Sequence, residues 1–225
     1  MTQTRGAGPA GWEVASGVWL AVAATEALAP GAHRDDVAQS RGMPPWRARE
    51  FCAGRGLVRS LLARAAVAGA GEGARPAPDV RIVRDAEGRP ALEGHAGVHL
   101  SVSHDAGTVA AAVAFGRPVG VDVQHPDGRI GAGLARRCLR SGAARLNALP
   151  AEEAARELAW VWTAQEACVK AAGRGLAGRP WEIDVPLGAR RGRWRQYRWL
   201  SLRDLVATPL SCAFPEPGPQ GRREG

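Results

Sequence analysis

The spacing of apolar positions changes several times along this chain, and each change marks an element. Val18 to Ala23 (VWLAVA) is nearly all apolar and reads as a buried strand. From Pro44 to Ala68 the period becomes helical. Phe51, Leu57, Val58, Leu61, Leu62 and Val67 recur on one face behind a proline-tryptophan entry. Gly69–Pro78 has no period and reads as a loop. VRIVR (80–84) predicts a strand, Glu87-Gly88 a turn, and the chain restarts at Arg89-Pro90. His99 to His104 alternates cleanly, and Thr108 to Phe115 is almost continuously apolar. A Gly116-Arg117-Pro118 turn then leads into VGVDVQ (119–124). A glycine-rich connection (125–133), a short helical region and a long helix over Ala151–Ala172 follow. Two weaker strands near Trp194–Leu200 and Thr208–Phe214 close the pattern. The order is that of an α+β fold, and no short-period repeat is present.

Composition changes the picture in three places. The formal charge of +8 and the sequence pI near 10.7 point to an anionic partner: nucleic acid, an acidic protein or a phosphorylated small molecule. Cys52, Cys138, Cys168 and Cys212 are scattered with no C-x-x-C pair, which reads as reduced cytosolic thiols and not a disulfide or zinc framework. Val14–Ala29 is apolar enough to resemble a leader, but Glu13 and Glu26 flank a core of only Val18–Ala24. No run reaches the roughly 20 apolar residues that span a bilayer. The expectation is a cytoplasmic protein without a membrane partner.

Lys170 is the only lysine beside 29 arginines. It lies in WTAQEACVK (162–170), four residues after Glu166 and eight after Trp162, so all three share one helix face. A Glu–Lys pair at that spacing is commonly a surface ion pair. Two features argue for more. The pair is embedded among Trp162, Ala167, Cys168 and Val169, and the cation is lysine where composition supplies arginine. An ammonium can give up its proton, whereas a guanidinium in practice cannot.

In VGVDVQ, side chains alternate, so Val119, Val121 and Val123 share one face and Asp122 and Gln124 the other. Aspartate is depleted in strands. Asp122 is therefore either an edge or turn-proximal carboxylate or a functional one. In LSVSHDAG (100–107), Ser101, Ser103 and His104 present hydrogen-bonding groups at a strand end. A metal triplet of His95, His99 and His104 is disfavoured, since the strand sends His99 and His104 to opposite faces. Two carboxylates on separate elements, a lysine one turn away, and a histidine with arginines nearby suit a Mg²⁺–diphosphate chemistry.

Read in order, GLVRSLLAR (56–64), GRP (88–90), SVSH (101–104), GVDVQ (120–124), WTAQEACVK (162–170) and GRGL (173–176) resemble the Sfp-type (surfactin-synthetase-type) 4′-phosphopantetheinyl transferases. The likeness runs from about Trp46 to Trp181. It implies a fold of two pseudo-symmetric α/β halves in one monomeric chain, here 13–116 and 117–214, between a flexible N-terminus (1–12) and a disordered tail (215–225). It implies transfer of the phosphopantetheine arm of coenzyme A to a serine of an apo acyl or peptidyl carrier protein, typically acidic, with release of 3′,5′-ADP. By the same likeness, Asp122 and Glu166 would hold Mg²⁺, with Mn²⁺ an alternative, and Glu166 would help deprotonate the serine. Lys170 would neutralise or protonate the leaving phosphate. Ser101, Ser103, His104, Arg84 and Arg89 would meet coenzyme A, with Arg41, Arg47 and Arg49 as vaguer candidates.

Two positions depart from that pattern. Residue 124 is Gln where Glu is usual, so the metal site is expected to rest on two carboxylates, with Gln124 or Asp105 as further candidate ligands. Residue 165 is Gln where Lys is usual, which leaves one phosphate contact missing or supplied by an arginine. These changes keep open a silent or weak coenzyme A- or carrier-binding relative, and another Mg²⁺-dependent enzyme acting on a diphosphate. Nucleic-acid binding is disfavoured, because the arginines are spread along the chain and no groove-reading motif occurs.

Overall fold

The computed structural model describes residues 2–3, 9–28, 33–69, 79–126, 132–139 and 142–216. Most of the expected loop 69–78, the middle of the connection 125–133 and nearly all of the tail lie outside these residues.

Strand β7 (Thr108–Phe115) shows how the layers form. Its side chains alternate between two cores: Val109, Ala111 and Val113 pack with Leu57, Val58 and Leu61 of helix α2 (Pro45–Val67). Ala110, Ala112 and Ala114 pack with Val121, Leu210, Cys212 and Phe214. A strand apolar on both faces must be covered on both. Here a helix covers one face and a second sheet the other, so the order of layers is helix, sheet, sheet, helix.

The first sheet holds seven strands in the order β1-β2-β3-β7-β6-β5-β4. These are β1 (Thr2–Gln3), β2 (Ala10–Ala15), β3 (Val18–Ala24), β4 (Ile82–Arg84), β5 (Pro90–Leu92), β6 (Val98–Asp105) and β7. The expected flexible stretch therefore ends early, since β2 begins at Ala10 and Trp12 is 3% exposed in the inter-sheet core. A lone tryptophan among glycines and alanines has no periodicity to announce it. The short helix α1 (Arg34–Gln39) was likewise unsignalled.

The second sheet has the order β8-β11-β10-β9: β8 (Gly120–Val123), β9 (Arg191–Trp194), β10 (Tyr197–Ser201) and β11 (Leu210–Pro215). The single strand expected near Trp194–Leu200 is in fact a hairpin, β9 turning into β10 at Arg195. Arg195 takes a left-handed φ of 54° that its sequence, lacking glycine, does not advertise. Helices α3 (Ala132–Leu139), α4 (Ala143–Asn147) and α5 (Ala151–Ala171) complete the chain, and α5 covers this sheet.

Both long helices begin at proline: Pro45 opens α2 and Pro150 caps α5, where a missing N–H and a fixed φ cost nothing. Each approaches its sheet where a glycine lets it. A Cβ on Gly54 would stand 2.6 Å from Val102 Cγ1, and one on Gly120 would stand 2.0 Å from the Ala167 carbonyl oxygen. The Gly120 contact brings β8 directly onto the turn of α5 between Glu166 and Lys170.

Candidate active site

On sheet two, Asp122 lies opposite Ser211 and Ser211 opposite Ser201, on the face turned toward α5. Ser211 Oγ meets Thr163 Oγ1 of α5 at 2.8 Å and Ser201 Oγ at 2.9 Å, and Thr163 also donates to the Trp160 carbonyl at 3.0 Å. This buried row of hydroxyls fixes α5 on the sheet. One and two turns further along the helix, Glu166 and Lys170 arrive beside Asp122. Nothing in the sequence singles out Thr163, Ser201 or Ser211.

Lys170 Nζ has three acceptors: Asp122 Oδ1 at 2.7 Å, Ser103 Oγ at 3.1 Å and the Val121 carbonyl at 3.1 Å. Ser103 itself donates to Asp122 Oδ1 at 2.7 Å. The ammonium thus joins α5, β6 and β8 through its three donors. Asp122 and Glu166 are 6% and 8% exposed. Burial, and secondarily Asp105, push the Asp122 carboxyl up, opposed by Lys170 and Ser103. Burial first, then the Asp122 charge, push Glu166 up to about 7, again opposed by Lys170. Glu166 Oε1 is buried with no hydrogen-bonding partner. Two buried carboxylates therefore share a single ammonium, and the cluster lacks one positive charge.

That deficit fits a divalent cation bound between Asp122 and Glu166. Among the described residues no group of three or more His, Cys, Asp or Glu side chains stands close enough to hold a metal alone. The protein offers two carboxylates, and Mg²⁺ habitually takes its other oxygens from water and substrate phosphates.

Residues 118–203 match the model of the ACPS family, the 4′-phosphopantetheinyl transferase superfamily. Asp122, Glu166 and Lys170 all lie in that segment. The chain is also similar to 4′-phosphopantetheinyl transferase HetI of Nostoc sp. (strain PCC 7120 / SAG 25.82 / UTEX 2576), at 30% identity over 148 residues, 64% of this chain. The similarity spans 59% of HetI's own length.

The remaining sequence candidates fall into three groups. Ser101 is 6% exposed and its Oγ accepts the Val121 N–H at 3.0 Å, so it ties β6 to β8. Asp105 and Gln124 meet each other: Gln124 Nε2 donates to Asp105 Oδ2 at 3.0 Å, and the His125 N–H donates to the same oxygen at 2.6 Å. Gln165 points away from the cleft and is fully buried. Its Nε2 donates to the Cys138 carbonyl at 2.9 Å and to the Ile183 carbonyl at 2.8 Å. The side chain at 165 thus ties α5 to α3 and to Ile183.

His104 faces the other side of β6 from Ser103. It receives a hydrogen bond from Arg47, and its Nδ1 lies 3.5 Å from Glu50 Oε2. Burial first, then Arg47, hold His104 below the usual imidazole range, with Glu50 opposing. These three line a cavity of about 160 Å³ with Phe51, Arg84 and Pro90. Across the inter-sheet edge, clefts lined by Arg89, Pro90, Leu100 and Val119 reach the cluster at Lys170. Arg89 is held there by Asp85 at 2.7 Å and Glu87 at 3.0 Å, and Arg84 donates to the Gly88 carbonyl at 3.0 Å. Arg41 and Arg49 are exposed near the start of α2. Glu50 is the residue sequence reading missed on this side; its signal is an acid directly after Arg47 and Arg49 near the start of α2.

Proposed function

We propose that this protein is a 4′-phosphopantetheinyl transferase of the Sfp type, which moves the phosphopantetheine arm of coenzyme A to a serine of an apo acyl or peptidyl carrier protein. The observation that carries this reading is the charge deficit at Asp122, Glu166 and Lys170, inside the segment that matches the superfamily. On this reading Asp122 and Glu166 hold Mg²⁺, with Mn²⁺ as substitute, and the metal supplies charge neutralisation for the pyrophosphate. The serine Oγ attacks the β-phosphorus, the new Oγ–P bond forms, and the bond to 3′,5′-ADP breaks.

The chain's own groups then have distinct tasks. Glu166 takes up the serine proton, directly or through a water. Lys170 stands on the Asp122 side, where its ammonium neutralises the departing phosphate. The Arg47–His104 cavity, lined also by Arg84, receives the nucleotide, and Arg89 in the clefts beside Lys170 adds a further phosphate partner. Ser101 and Ser103 keep β6 against β8 so that nucleotide and metal sites stay in register. The net charge of +8 matches an acidic carrier. A monomer of two pseudo-symmetric halves, 13–116 and 117–214, in the cytoplasm completes the proposal. No described helix is long and apolar enough to cross a membrane.

The test is the intact mass of an apo acyl or peptidyl carrier protein after incubation with this protein, coenzyme A and Mg²⁺. A phosphopantetheine mass gain that needs the metal and is lost in Lys170→Ala and Glu166→Gln is the expected result. No gain with several carriers, acyl and peptidyl alike, would overturn the assignment.

A further inference from the structure

Arginines occur along most of the chain, but Arg190, Arg191, Arg193, Arg195 and Arg198 fall within one short stretch that holds no acid. It is the β9–β10 hairpin, entered at Arg190 and turned at Arg195. Among the described residues two carboxylates answer these five guanidinium groups. Asp204 pairs with Arg190, and Glu216 lies 2.5 Å from Arg193 and 3.8 Å from Arg198. Five cations against two anions leave a surplus of three, and among the described residues Arg191 and Arg195 meet no acid. The layout is directional. Gly192 lies against the Trp199 ring and Trp194 stacks on Tyr197, so both face the core under α5. Alternation turns Arg191 and Arg193 to the other face, about 6.8 Å apart along the strand, and both are exposed. Arg198 stands directly opposite Arg193. Like charges in that relation destabilise a sheet, so the fold gains nothing from the pair. β9 is also the last strand of its sheet, bonded to β10 and to no other described strand. Charged side chains commonly guard such an edge against chance pairing. A face-to-face pair of like charges, and a surplus that runs on into the turn, go beyond that need.

We propose that β9 is a docking strand for an extended acidic segment of a partner protein, which adds to the free edge with carboxylates at alternate positions facing Arg191 and Arg193. Main-chain hydrogen bonds to β9 supply the affinity of such an addition, and alternate side chains supply its specificity. The incoming strand has the same period of two as β9, so its acids fall at the spacing of the arginines. A nucleic acid fits less well. It brings no peptide strand to the edge, and the Trp194 ring that could stack a base is already stacked on Tyr197 at 5.9 Å and covered by Arg195 at 4.8 Å. In the order β8-β11-β10-β9 the free edge lies about 14 Å across the sheet from β8, so a docked segment leaves the Asp122 cluster open. The docking edge is independent of the activity proposed above.

The test is the fluorescence anisotropy of a labelled peptide of alternating glutamate and threonine, titrated with the full chain at low salt. Wild type is expected to bind it. The same peptide carrying N-methyl groups along its backbone keeps every charge but cannot pair as a strand, and it is expected to bind about tenfold more weakly. Arg191→Ser/Arg193→Ser is expected to bind the unmethylated peptide about fivefold more weakly. Its melting temperature should stay level with wild type, because exposed ion pairs contribute little to stability. Equal affinity for the two peptides would overturn strand addition, since charge alone would then account for binding. Undiminished affinity in the double variant, or no binding of the peptide to wild type, would overturn the docking edge itself. Tighter binding of an oligothymidylate of equal charge would make the hairpin a nucleic-acid surface and overturn the peptide assignment.

Discussion

Two buried charge clusters sit on opposite faces of this molecule, and they are built to opposite rules. Under helix α2, Asp36 is 1% exposed and faces two guanidinium groups, Arg55 at 3.0 Å and Arg59 at 3.2 Å. Both arginines also donate to backbone carbonyls, Arg55 to Ile82 and Arg59 to Val80 at 2.5 Å. One anion meets more than enough cation, and the surplus donors find carbonyl oxygens. Under helix α5 the ratio is reversed. Asp122 and Glu166 share Lys170, and Glu166 Oε1 has no partner. A closed cluster is architecture: it pins α1 and the β4 edge to α2. A cluster left short of charge, beside a cleft, is poised for something that arrives.

The largest expected effect tests the closed cluster. Asp36→Asn leaves two buried guanidinium groups without their anion, which costs about 3–5 kcal/mol of stability. Urea unfolding followed by tryptophan fluorescence measures it. A variant as stable as wild type would show that the carbonyls alone satisfy Arg55 and Arg59, and the contrast between the clusters would fail.

The second effect belongs to the open cluster and is a pH dependence of the metal-free protein. Glu166 has a carboxyl raised from 4.5 to about 7 in the folded chain. The folded state therefore holds its proton more tightly than the unfolded state does. Stability from this group is fully present below pH 4.5 and is lost as pH rises toward 7. The loss amounts to about 3 kcal/mol by linkage, and the raised Asp122 carboxyl acts in the same direction. Unfolding free energies measured from pH 4.5 to pH 8 in a chelating buffer should fall for wild type. They should fall less for Glu166→Gln, which keeps the shape of the protonated acid. Parallel curves for the two proteins would count against the charge deficit.

Glu166→Gln also gives the third effect, now on transfer. Removing the proposed proton acceptor and candidate ligand should lower the proposed carrier modification about a hundredfold, while the melting temperature at pH 8 stays level or rises. The opposite pairing, full activity with a less stable fold, would place Glu166 with Asp36 among structural acids.

How much of this contrast could be read from the chain depends on where the physics is local. The helix bearing Glu166 and Lys170 is legible because helical period, apolar surroundings and one exceptional lysine agree within nine residues. The strand bearing Asp122 is legible because an acid interrupts a valine alternation. The closeness of β8 to α5 is a tertiary fact: Gly120 stands in plain view, but only the Ala167 carbonyl explains why no Cβ is allowed there. The Thr163–Ser211–Ser201 row needs three elements brought together, and short polar side chains scattered over nearly fifty residues carry no pattern. Gln165 shows the same limit. Its place inside the motif does not tell what it binds: a step of one residue on a helix turns a side chain by about 100°, enough to set it in the core beside Cys138 while Glu166 stays with Asp122.

The smallest effect concerns the ammonium itself. Lys170→Arg preserves the positive charge and, with Asp122 Oδ1 as near as 2.7 Å, preserves a salt bridge in some form. It does not preserve three donors diverging from one nitrogen toward Asp122, Ser103 and the Val121 carbonyl. A planar guanidinium is larger, cannot reach all three from one point and does not release a proton. On the proposed mechanism transfer should fall about tenfold, with little change in stability, and the loss should appear in kcat more than in KM, since the proposed contact acts as the phosphate departs. An arginine variant with undiminished kcat would mean that only charge is required at 170. The chain's single lysine would then be a remnant of composition, and the weight of the open cluster would rest on its two carboxylates.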